Sequence, residues 1–200
     1  VSGAASPLIK YIARRNGSAG SFSVSEYPTD SDTINPDAAS ARGAITVAAV
    51  SATDPGTNTP ESYSSRGPKT RLFDKNGVRL AAPEIRIKPE VAAADAVAPT
   101  VPAYLTFTGT SASVPSAASI AANLMSTNPN ASQKEIRAQM TASGNSIDCT
   151  LSLLVPDPDC GSGFLLADSA NTALDRTGPV VSPANAPPAP NGSNGWYVSG

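Results

Sequence analysis

The chain has 200 residues, with 14 basic and 16 acidic side chains, a formal net charge of −2 and no histidine. This balance gives no electrostatic reason to seek nucleic acid or an anionic membrane, and the longest apolar stretch, Ala44–Val50, falls far short of the ~20 residues that cross a bilayer. Without histidine the commonest general base and the commonest neutral metal ligand are missing, and two cysteines make no zinc site.

The first residues, Val1-Ser-Gly-Ala-Ala-Ser, carry no initiator Met and no signal segment, so the chain is expected to be cut or processed at this end. Leu8, Ile9, Tyr11 and Ile12 suit either a short helix or a buried strand, and Asn16-Gly17 marks a turn. Ala44–Val50 is apolar and β-branched and leads into the turn formers Asp54-Pro55-Gly56. It reads as a strand buried on both faces, as in parallel sheets. Tyr63-Ser-Ser-Arg-Gly-Pro68 is loop chemistry, and Phe73-Asp-Lys-Asn-Gly77 is a surface turn. Val91–Ala94 is a second small apolar stretch, and Tyr104-Leu-Thr-Phe-Thr108 alternates as a strand entering Gly109. A helix rich in small residues, read as buried, is expected over about Ser113–Met125. A second is signalled by Ser132-Gln-Lys-Glu135, a capping box in which the two side chains satisfy each other's free amides, and continues through Ile136, Met140 and Ala142 to Gly144. Gly163-Phe-Leu-Leu166 has strand potential.

From Asp175 the character changes. Five prolines between Pro179 and Pro190 forbid regular ladders and favour an extended polyproline linker. Asn191–Val198, with Trp196 and Tyr197, reads as a turn and strand opening a further β-module. The expected division is therefore one domain over residues 1–176 and a linker plus the start of a β-sandwich over 177–200. Cys149 and Cys160 lie eleven residues apart. In a secreted protein they would close a short loop worth ~2–3 kcal/mol on the chain-entropy model. In a reducing compartment they would be two thiols.

The chemistry concentrates at Gly109-Thr-Ser111. A serine in the first turn of a buried helix sits where amide groups are unpaired and the helix dipole is positive, which favours a developing oxyanion. Gly109 permits close approach of a substrate backbone. Capping alone also explains such a Ser, so the motif by itself is weak.

The surrounding order is more specific. Ala44-Ile-Thr-Val-Ala-Ala-Val50 is followed by Tyr63-Ser-Ser-Arg-Gly-Pro68, Lys88-Pro-Glu-Val-Ala-Ala93 and Phe107-Thr-Gly-Thr-Ser-Ala-Ser-Val-Pro115. Asn128-Pro129 with the capped helix and Cys160-Gly-Ser-Gly-Phe-Leu-Leu-Ala-Asp168 complete the series. Over about residues 43–170 this resembles the C-terminal half of the catalytic domain of subtilisin-like serine peptidases, the subtilase family. The resemblance implies an α/β fold with a mostly parallel sheet and helices on both faces, part of a three-layer architecture completed by an N-terminal half. It also implies that Ser111 matches the acylating serine. In that family Asp and His precede the Ser in the chain, so a chain starting mid-domain keeps Ser111 and lacks its partners, in keeping with zero histidines.

The resemblance further implies a serine endopeptidase, secreted or at the cell surface, acting on polypeptides, with no metal and no cofactor. This piece alone is expected to be inert and poorly stable without the N-terminal half of its domain. Asn16 is a weak match to the family's oxyanion Asn. Ala112-Ser113, Ser116, Ala94, Ala96 and Glu90 depart from the family pattern, which leaves room for a non-catalytic peptide-binding or cell-surface relative. Arg66 reads as a loop anchor, Lys88 as a solvated or salt-bridged side chain, and Asp148, Asp157 and Asp159 as solvated acids.

Overall fold

The architecture starts from two short apolar runs that pair side by side. In a computed structural model, which describes residues 10–11, 31–35, 37–102, 105–149 and 157–174, Val47–Ser51 forms β1 and Val91–Asp95 forms β4. They are parallel, with Val47 opposite Val91 and Ser51 opposite Asp95. Between them in sequence, Lys69–Phe73 (β2) and Arg79–Arg86 (β3) make a separate antiparallel ribbon. Ser146–Ile147 (β5) and Phe164–Leu165 (β6) complete the main sheet in the order β1-β4-β6-β5, with β6 parallel to β4 and β5 antiparallel at the edge.

Side chains alternate across this sheet as the pleat requires. Val47, Val91, Ala93 and Leu165 point to one face. Three helices cover it: Thr110–Thr127 (α1), Gln133–Met140 (α2) and Ala167–Leu174 (α3). Ala117, Leu124, Ile136, Met140 and Ala170 fill the space between. Each fully buried aliphatic side chain of the size of Val91 or Leu124 stabilises the fold by roughly 1.5–3 kcal/mol. Ala48, Val50 and Ala92 point the other way, onto Cys149, Cys160 and Phe164. The two cysteines are fully buried and joined as a disulfide.

The result is an α/β fold with a mostly parallel sheet, as the resemblance implies. The described helices lie on one face only; the Cys149–Cys160 disulfide and its neighbours occupy the other. The expected buried strand is present, beginning at Val47. The capping box is also present: Ser132 Oγ accepts from Glu135 N, and Glu135 Oε2 accepts from Ser132 N. That helix stops at Met140, and Ala142 precedes a short 3-10 turn.

Three expectations need correction. Of the expected strand Tyr104–Thr108, Tyr104 lies outside the described residues, and residues 105–108 form no strand beyond a single bridge from Phe107 to Val97. Leu105 is 91% exposed, so this segment's alternation reflects no buried face. Helix α1 begins three residues earlier than expected and is buried along one stripe, through Ala112, Ser113, Ala117 and Leu124. Ala121 is half-buried against the same core, while Ala118 and Ala122 face water, where high helix propensity alone explains them. Finally, β2 and β3 were not foreseen. The ribbon bears Lys69, Arg71, Arg79, Pro83, Glu84 and Arg86 and is held largely by Glu84, which Arg42, Arg71 and Arg86 all contact.

The expected element around Leu8, Ile9 and Ile12, Asn16, and the whole segment from Asp175 with Trp196 and Tyr197 fall outside the described residues; Tyr11 is exposed.

Candidate active site

Ser111 is the second residue of α1, and it is exposed. Gly109 opens the helix with φ 107° and ψ 163°, a region essentially reserved for glycine that costs other residues on the order of 1–3 kcal/mol. A Cβ there would meet only the Ser111 amide nitrogen, at 3.7 Å, so backbone conformation and not crowding requires the glycine. The Gly109 carbonyl accepts from the amides of Ala112 (2.8 Å) and Ser113 (3.4 Å), and no side chain caps the helix. The Thr110 and Ser111 amides stay outside these bonds, at the positive end of an 18-residue helix. An exposed serine whose amide lies at the positive end of a helix suits attack on a carbonyl whose oxygen then gains negative charge.

Pro115 lies inside the helix, not in its first turn. Lacking an N–H, it leaves the Ser111 carbonyl out of the helical ladder. One residue on, the Ser116 hydroxyl is shared between the carbonyls of Ala112 (3.0 Å) and Ala94 (3.1 Å), which fastens the helix start to the end of β4. Ligand sites in open α/β sheets lie at the carboxyl ends of the strands, and Ser111 is held at that end.

One buried acid at the same end of β4 was passed over in the sequence. Asp95, the last residue of β4, is fully buried; its Oδ2 accepts a hydrogen bond from the Tyr63 hydroxyl, and its Oδ1 has no partner. The Tyr63 hydroxyl is pushed up to about 12 by burial and by the adjacent Asp95 carboxyl, while the Gly109 backbone pulls weakly the other way. The signal that could have found Asp95 is its place directly after Val91–Ala94, where a strand side chain has little access to water. Ser113 Oγ is likewise fully buried without a partner.

The remaining candidates lie elsewhere. Lys88 is buried, not solvated: its Nζ donates to Ala44 O (2.6 Å) and to Glu90 Oε1 (2.5 Å), at the amino end of β4. Glu90 also takes Arg137 (2.6 Å) and the Thr46 amide (2.7 Å). This network, which includes the Lys88–Glu90 salt bridge expected as one alternative, lies at the opposite end of the strand from Ser111. Arg66 is a loop anchor as expected, since it grips both oxygens of Asp159. Asp159 and Asp157 are buried, which corrects their reading as solvated acids, whereas Asp148 is exposed. Asp157 Oδ1 accepts the Asp159 and Cys160 amides, and burial raises its pKa. Asp157 also lies near both cysteine sulfurs, but these are bonded to each other and offer no thiolate to a metal. Ala96 has φ 54°, in the left-handed region that favours glycine.

A family model described as the subtilase family matches residues 5–178. Among solved structures, proteases from Pseudoalteromonas arctica are similar at 17% identity and TM-score 0.43, over 73% of this chain and 40% of that one. Fervidolysin from Fervidobacterium pennivorans, a keratinolytic enzyme related to subtilisin, is similar at 21% identity and TM-score 0.44, over 72% of this chain and 21% of its own. The chain thus spans less than half the length of either. No curated protein matches it.

Proposed function

The chain belongs to the subtilase family, and from that premise we propose that it carries the nucleophile of a serine endopeptidase, with Ser111 as the acylating residue. The Ser111 hydroxyl attacks the carbonyl carbon of a peptide bond, and the resulting oxyanion is met by the Ser111 amide at the positive end of α1. Collapse of that intermediate expels the amine and leaves an acyl ester on Ser111, which water then hydrolyses. The proton taken from the hydroxyl goes to a general base and on to the leaving amine. The 200 residues hold no histidine, so in this reading a histidine base, with the acid that orients it, is supplied from outside them. By themselves these residues are then inactive, because an unassisted serine hydroxyl is a weak nucleophile.

The observation that carries this reading is the exposed Ser111 on the first turn of α1, at the carboxyl end of a parallel sheet, in a chain of this family. The substrate is polypeptide. A buried disulfide fits an oxidising compartment, so the protein works outside the cytosol or at the cell surface.

Fluorophosphonate labelling of the full-length protein tests the chemistry. Covalent labelling at Ser111, abolished in Ser111→Ala, is the expected result. No labelling where a control serine peptidase reacts would favour a non-catalytic, peptide-binding relative.

A further inference from the structure

We propose that Ser116 is a positioning residue: its hydroxyl closes a two-footed arch over the end of β4, and that arch carries Ser111. The inference rests on the reading of Ser111 as nucleophile.

The first foot lies before the helix. Phe107 N donates to Val97 O (2.8 Å) and Val97 N to Phe107 O (3.1 Å), which fixes the chain to the segment just past β4 before it turns at Gly109. The second foot lies one turn beyond the nucleophile. Ser116 Oγ donates to Ala94 O (3.1 Å), sharing its proton with Ala112 O (3.0 Å). Among the described residues this is the hydrogen bond that joins α1 to the main sheet. Both feet stand within residues 94–97, and the stretch 108–115 between them holds Gly109, Ser111 and Pro115.

Ala94 O is open to the helix because the sheet ends there on that side. Ala92 N donates to Gly163 O, so Ala92, and with it Ala94 two residues on, turns its main-chain groups to the β6 edge. β6 pairs with β4 at Ala92 and Phe164 and goes no further. The Ser116 hydroxyl thus stands in for a missing strand neighbour.

The helix needs this tie for a reason of its own. Pro115 brings no N–H to the Ser111 carbonyl, so the turn bearing the nucleophile has one rung fewer than an ordinary helix. Ala112 and Ala117 are buried beneath it, but apolar burial is non-directional, whereas a hydrogen bond fixes one atom against another. Because bond-forming geometry must be held closely for the rate to be high, freeing the second foot should lower turnover more than binding.

The test uses the full-length protein, with three readouts: the fluorophosphonate labelling rate, kcat and KM on a peptide substrate, and hydrogen exchange of the Ala112 and Ser113 amides, which close the first turn on Gly109 O. Ser116→Thr and Ser116→Val share one shape and differ in the hydroxyl, so the pair isolates it even if Ser116→Ala does not fold. Ser116→Thr should stay within about twofold of wild type. Ser116→Val and Ser116→Ala should lose about tenfold in labelling rate and kcat, keep KM within about twofold, and exchange faster. Ser119→Ala is the control: the exposed Ser119 Oγ donates to Pro115 O (2.8 Å) within the helix, and its loss should change none of the three. Equal rates in the Thr and Val variants overturn the proposal. So does an equal loss in Ser119→Ala, which would assign the effect to bonding inside the helix. A rise in KM at constant kcat also overturns it, because Ser116 would then act on binding. If the wild-type protein does not label at all, the peptidase reading fails separately; faster exchange in Ser116→Val than in Ser116→Thr still upholds the arch, and equal exchange overturns it.

Discussion

Lys69 and Tyr63 respond to alkali in opposite senses. Lys69 is almost wholly buried, its ammonium donating to Ile34 O (2.6 Å). Burial, followed by the nearby Lys10 charge, lowers its pKa from 10.5 to about 8. Between those values the unfolded chain holds a proton that the native state has released, so stability rises with pH. For Tyr63 the native value of about 12 lies above the ordinary 10. Above pH 10 the native state keeps a proton the unfolded chain loses, and this contribution fades as pH climbs through 12. Together the two groups place a stability maximum at about pH 10. Denaturant titrations across pH 7–12 should show the rise and the fall, and Lys69→Met should remove the rise alone. The same residues mark what sequence could not show. A lysine after a Gly-Pro pair and a tyrosine in a loop give no local sign of burial, and only tertiary packing decides that one ammonium is buried and one phenol turns inward. Ser111 stands out as a candidate because the Gly109 turn and the helix that present it are its neighbours in sequence. Asp95 and Tyr63 are 32 residues apart and meet only on folding.

At the scale of elements, legibility followed burial. The runs now seen as β1 and β4 are apolar on both faces, and their residues announce this without knowledge of the partner strand. α2 was legible from its cap, a purely local device. Ser132→Ala should cost the folded protein about 1 kcal/mol, read as a shift in denaturation midpoint, because the Glu135 amide loses its acceptor. The β2–β3 ribbon was illegible for the converse reason: its strands carry charges and a proline, and what holds them is a ladder and the Arg42, Arg71 and Arg86 contacts to Glu84. α1 misled in another way. Its small residues suggest an all-round buried helix, but alanine stabilises a water-facing helix as readily as it fills a core.

For the molecule as a whole, the two faces of the sheet are secured by different means. Among the described residues, one is packed under three helices, while the other carries a small apolar cluster and a covalent bond. Replacing both cysteines (Cys149→Ala with Cys160→Ala) should lower stability by about 2–3 kcal/mol on loop-closure grounds, measured by chemical denaturation. A loss much smaller than this would mean that the unfolded chain is already restricted around the loop. Family, α/β class and the exposed serine could all be anticipated from motif order. The placement of all described helices on one face could not, because no local pattern says which side of a parallel sheet a connection crosses.

β4 is bonded on both sides, carries the Lys88–Glu90 cluster at one end and ends at Asp95, which accepts the Tyr63 hydroxyl. Deleting a single residue within it would swap its faces, bringing Ala92 under the helices and Val91 onto the disulfide, and would draw the carboxyl group away from its phenol. The tip of the ribbon at 74–78, closed by Asp74 and Gly77 and exposed, has no such duty. Natural length variation and engineered insertions, such as an epitope tag, should therefore be accommodated at that tip and excluded from the five residues of β4.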